Sequence, residues 1–107
     1  MKLITAIVNK DDGRAVQSGL TSKGFTVTRI ATTGGFLMAG NVTFILGVED
    51  DKVDEAIDII ALFAEKRKQI VPPTASYGMG VSSAYPIELM MGGATVFVQD
   101  VERFEKM

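Results

Sequence analysis

Two stretches of the chain repeat apolar side chains at helical spacing, and each is set among segments that alternate every second residue. In the stronger stretch Val53, Ala56, Ile57, Ile60, Ala61 and Ala64 follow the rhythm of one helix face. Asp50 and Asp51 precede it as candidate caps. Lys66, Arg67 and Lys68 are expected in its last turn, where the helix dipole favours cations. In the weaker stretch Ala15, Val16 and Leu20 form the stripe, between a cap at Asp11 or Asp12 and a stop at Gly24, although Gly13 and Gly19 weaken it.

The remaining segments read as strands and turns. Lys2 to Asn9 is a strand with Ile4, Ala6 and Val8 on one face and Leu3 and Ile7 on the other. Phe25 to Thr32 is β-branched, and Asn41 to Glu49 alternates through Val42, Phe44, Leu46 and Val48. Pro72-Pro73 stops any helix, and Thr74 to Ala84 reads as a long loop. Pro86 to Met90 and Ala94 to Val98 are short extended segments around Gly92-Gly93, and Asp100 to Met107 has room for a helical turn.

This order predicts an α+β chain with the ferredoxin-like βαββαβ arrangement: an antiparallel sheet, two helices on one face, and extended loops. At 107 residues it suits a single domain spanning 1–107. The second sheet face is then bare, yet Leu3, Ile7, Ile45 and Phe97 give the strands apolar side chains on both sides. An apolar face of that size marks an interface, so a homo-oligomer of closed symmetry is expected, with the sheets facing inward.

Composition narrows the chemistry. The chain has no cysteine and no histidine, which removes disulfides, thiolate metal sites and the commonest general base. No serine sits in a Gly-x-Ser-x-Gly context. The expectation is a non-catalytic protein with no resident metal or cofactor. A net charge of −2 argues against a nucleic-acid polymer as partner. The opening Met1-Lys2-Leu3-Ile4 is too brief for a signal peptide and no apolar run reaches membrane-span length, so a cytoplasmic address without membrane insertion is expected.

Ala31-Thr-Thr-Gly-Gly-Phe-Leu-Met-Ala-Gly-Asn41 is the most informative segment. Adjacent glycines let backbone N–H groups approach an anion, Phe36 and Leu37 can flank a purine, and Asn41 can read an adenine edge. A plain hairpin loop with Phe36 tucked against its own domain is the competing reading. Gly78-Met-Gly80 reads as an ordinary loop. Asp50, Asp51, Asp54 and Glu55 fit helix capping better than a cation site. Lys66-Arg67-Lys68 fits a solvated helix end better than a phosphate site. The methionines 38, 79, 90 and 91 fit packing or interface roles. Arg29 either pairs with a phosphate or balances a surface carboxylate.

Ala6-Ile-Val, Ala31-Thr-Thr-Gly-Gly-Phe-Leu with Ala39-Gly-Asn41, Gly47-Val48 and Gly92-Gly-Ala-Thr-Val-Phe-Val98 together resemble the PII-like cyclic-di-AMP receptor family over almost the whole chain. The resemblance implies a homotrimer of ferredoxin-like subunits with one cyclic-di-AMP in each cleft between neighbours. It also implies signal transduction to a downstream protein, which it does not identify. Carried over by position, it puts Thr28, Gly35, Phe36, Leu37, Asn41 and Gly47 in the pocket, with Phe97 from a strand. Position 26, often arginine in that family, is Thr26 here, and position 38, often basic, is Met38. A charged contact contributes about 1.5–3 kcal/mol, so its loss weakens the ligand expectation. The alternative is a PII-like trimeric interaction module that takes another adenine nucleotide, or none.

Overall fold

A computed structural model describes residues 1–30, 40–71 and 87–107. Strand β1 (Lys2–Asn9) leads into helix α1 (Lys10–Ser22), then β2 (Thr28–Ile30) and β3 (Asn41–Val48). A 3-10 turn (Asp50–Lys52) enters α2 (Val53–Phe63), followed by β4 (Arg67–Val71), β5 (Ile87–Met91) and β6 (Ala94–Asp100).

The main sheet is ordered β2-β3-β1-β6, with every neighbouring pair antiparallel. The order interleaves two β-α-β crossovers, and the whole fits a ferredoxin-like arrangement. Ile4, Ala6 and Val8 of β1 and Val42, Phe44, Leu46 and Val48 of β3 are buried. They meet Val16 and Leu20 from α1 and Ala56, Ile60 and Ala64 from α2 or its end in one core. Both helices therefore lie on one face of the sheet, as expected, although Ala15 and Ala61 of the expected stripes are exposed.

The glycines that weaken α1 let it pack closely. A Cβ at Gly13 would come within 2.8 Å of Val42 Cγ2, and one at Gly19 would run into the Phe63 ring. The loss of helix propensity, about 1 kcal/mol per glycine, is the cost of this close approach.

Several boundaries differ from expectation. The cap of α1 is Asn9, whose Oδ1 accepts the Asp11 N–H at 2.9 Å, rather than Asp11 or Asp12. Asp12 instead turns inward and is buried. No side-chain cap stands at the start of α2: Asp50 and Asp51 lie in the preceding 3-10 turn, Lys52 occupies the cap position, and Asp50 pairs with the Met1 amine at 2.9 Å. Lys66, Arg67 and Lys68 lie beyond α2 rather than in its last turn, and β4 begins at Arg67. The Gly92-Gly93 turn explains this early stop. Both glycines have positive φ, and the Gly93 N–H donates to the Ala64 carbonyl at the helix end. A side chain at Gly92 would run into the Glu65 carbonyl and the Arg67 guanidinium.

The second strand is shorter than Phe25 to Thr32, since Phe25 to Val27 make no ladder and Thr32 lies outside the described residues. Strands β4 and β5 pair in a separate two-stranded sheet that the sequence order did not contain. The tail from Val101 is not helical; its Val101 N–H donates to the Met1 carbonyl at 3.2 Å. The loop readings for Thr33 to Ala39 and Thr74 to Ala84 fall outside the described residues, as does Gly78-Met-Gly80.

Candidate functional site

The sheet face away from the helices gathers the site residues that the structure describes. Strand register lines up Thr28, Ile45, Thr5 and Phe97 in one row across all four strands. Paired residues share a face, and Thr5 alternates with buried Ile4 and Ala6, so this row points away from the core. The next row toward the start of β1 holds Gly47, Leu3 and Gln99, and Asn41 lies on the same face at the far end of β3. Phe97 is 55% exposed, a large value for an aromatic residue in a strand.

A groove of about 610 Å³ runs along one end of this face. Thr26, Thr28 and Gly47 line one side, Met1 and Leu3 form its floor, and Phe104 closes it from the tail. A smaller hollow of about 280 Å³ shares Thr26 and Gly47 and adds Lys23, Lys52, Glu49 and Glu55. Its charges balance, and Lys52 pairs with Glu55 at 3.6 Å.

Gly47 is informative because the fold itself does not require it. Its φ is ordinary for a strand, and the nearest atom to an added Cβ would be Met1 Sδ at 3.8 Å. Mid-strand glycine weakens a sheet and commonly marks close approach by a ligand or another backbone.

Asn41 and Gly47 stand at opposite ends of β3, about 20 Å apart at a rise of ~3.4 Å per residue. Asn41 lines a separate hollow of about 330 Å³ with Asn9, Lys66, Gly93 and Thr95. The structure thus brings Thr26, Thr28 and Gly47 together. It leaves Asn41 and Phe97 on the same face but outside that groove. Gly35, Phe36 and Leu37 lie outside the described residues, as does Met38.

Other candidates are used locally. Arg67 forms a two-pronged pair with buried Asp12, Nη2 to Oδ1 at 2.9 Å and Nη1 to Oδ2 at 3.4 Å, and also donates to the Glu65 carbonyl at 3.1 Å. This hydrogen bond to Asp12 raises the Arg67 pKa further and assigns the residue to structure rather than to a phosphate. Arg29 pairs in register with Phe44 and so points to the helix side, away from Thr28. Among the described residues no group of three or more acidic side chains is arranged to hold a metal. Nor, among them, is any helix long and apolar enough to cross a membrane.

Sequence reasoning missed the contribution of the tail and of Met1 to the groove. The only signal was an aromatic residue, Phe104, in an otherwise polar segment. Nothing in its spacing tied it to β2 or β3.

The fold defines a small α+β domain with an open groove. The chain belongs to the cyclic-di-AMP receptor family, whose model matches residues 1–107, the whole chain. It is also similar to a solved structure described as that of a functionally unknown protein from Pediococcus pentosaceus ATCC 25745. That likeness has a TM-score of 0.78 at 34% identity, over 99% of this chain and 96% of the other.

Proposed function

We propose that the chain is a PII-like signal-transduction protein of the cytoplasm that binds cyclic-di-AMP, without catalysis, between the subunits of a homotrimer. The observation that carries this reading is the division of the site residues along one open face. Thr26, Thr28 and Gly47 form one half-site, and Asn41 stands about 20 Å away along the strand. A single ligand reaches both sets when the Asn41 end of one subunit faces the groove of its neighbour. The apolar side chains Leu3, Ile7, Ile45 and Phe97 on the same face supply the surface for that contact. The bound state then passes to a downstream protein.

Calorimetric titration with cyclic-di-AMP, with cyclic-di-GMP and ATP as controls, tests this together with light scattering for mass. The expected result is selective binding at one ligand per subunit in a particle of three chains. Absence of heat with cyclic-di-AMP from a folded protein contradicts it.

The uncharged Thr26 favours one second reading, a PII-like trimeric interaction module that takes another adenine nucleotide or none. Thr26→Arg separates the two. It strengthens cyclic-di-AMP binding markedly under the first reading and changes little under the second.

A further inference from the structure

The tail Val101 to Lys106 carries no assigned role, yet it is built against the groove. Its Val101 N–H is tied to the Met1 carbonyl, and Phe104, Glu105 and Lys106 all line the same hollow as Thr26, Thr28 and Gly47. Phe104 is 64% exposed. An exposed aromatic ring beside a groove offers a flat face for stacking. Among the described residues lining the groove, Lys106 has the one positively charged side chain. The Met1 amine is already held by Asp50. Glu105, the one acidic lining residue, is paired with Arg103 at 2.7 Å. Among the described residues, the groove therefore has at its rim a cation in no ion pair and an anion that is paired.

We infer that the tail is part of the ligand site: Phe104 stacks on a base of the cyclic dinucleotide, and Lys106 holds one of its phosphates. This rests on the proposed function and adds to it an aromatic ring and a positive charge beside Thr26, Thr28 and Gly47. Thr26 and Thr28 give hydroxyls and Gly47 gives close approach, but none of them brings either property. Base–aromatic stacking and a phosphate–ammonium contact are the two interactions that a nucleotide groove with only hydroxyl donors lacks.

The test uses the full chain and cyclic-di-AMP by calorimetry, on wild type, Phe104→Ala, Lys106→Ala and Lys106→Arg, with melting curves to confirm folding. Phe104→Ala is expected to weaken binding about ten-fold or more. Lys106→Ala is expected to weaken it and flatten its salt dependence, while Lys106→Arg retains it. A second readout uses Phe104→Trp, because the chain has no tryptophan of its own. Its fluorescence should change on titration and saturate at the calorimetric stoichiometry. If wild type binds and all the variants bind equally, with the tryptophan signal unmoved, the tail is not part of the site and the receptor reading stands. If wild type does not bind, the receptor reading falls and the tail assignment falls with it.

Discussion

Gly47 illustrates how a single residue separates folding from function. Its backbone is ordinary and an added methyl group meets only Met1 Sδ, at 3.8 Å. Gly47→Ala should therefore stabilise the free protein by about 0.5–1 kcal/mol, the usual gain when a strand glycine becomes alanine. The same substitution should weaken cyclic-di-AMP binding, since the groove loses its close-approach point. A melting curve and a titration on one preparation read both. Met1 and Asp50 give a pH-dependent counterpart. Their hydrogen bond raises the Met1 amine above its ordinary 8.0 and lowers the Asp50 carboxyl below its ordinary 3.8. A raised amine stabilises the fold below 8.0 and loses this effect as pH climbs through its folded value. A lowered carboxyl stabilises above 3.8 and loses it as pH falls through its folded value. Asp50→Asn should thus lower the melting temperature between those limits and converge with wild type well outside them. The effect is small because both groups are at the surface.

Among the elements, α1 is the most tightly specified. It touches β3 through Gly13 and α2 through Gly19, and reaches β4 through Asp12. Gly19→Leu should cost about 1–3 kcal/mol by forcing the Phe63 ring aside, measured by denaturant unfolding. Asp12→Ala removes the carboxylate that holds the half-exposed Arg67 guanidinium, and a lower melting temperature is expected. Hydrogen exchange should show the effect as faster exchange in β4 and β5. The strands and helices of the main sheet were legible because Ile4, Ala6 and Val8, and Val53 through Ala64, have clean periods. The pairing of β4 with β5 was not. Arg67 to Val71 opens with two cations and shows no alternation, and its strand partner begins at position 87. The end of α2 was misplaced for a related reason. It is set by the Gly93 N–H, which comes from far along the chain.

For the whole molecule, the proposed function places the ligand on the sheet face away from the helices. Its apolar residues were visible in the strand alternation, and so was the prospect that something covers them. Thr26, Thr28 and Gly47 came from a family resemblance; register brings Thr28 and Gly47 onto that face, and Thr26 lines the same groove. The tail's place beside them depends on chain geometry that no local pattern encodes. Mapping backbone amide shifts on addition of cyclic-di-AMP tests the central claim most directly, that this face holds the ligand. The predicted result is a contiguous set of changes at Thr26, Thr28, Gly47 and Asn41, with exposed helix positions such as Ser18 and Asp58 unmoved. Changes confined to the helix face, with the groove residues silent, would contradict it.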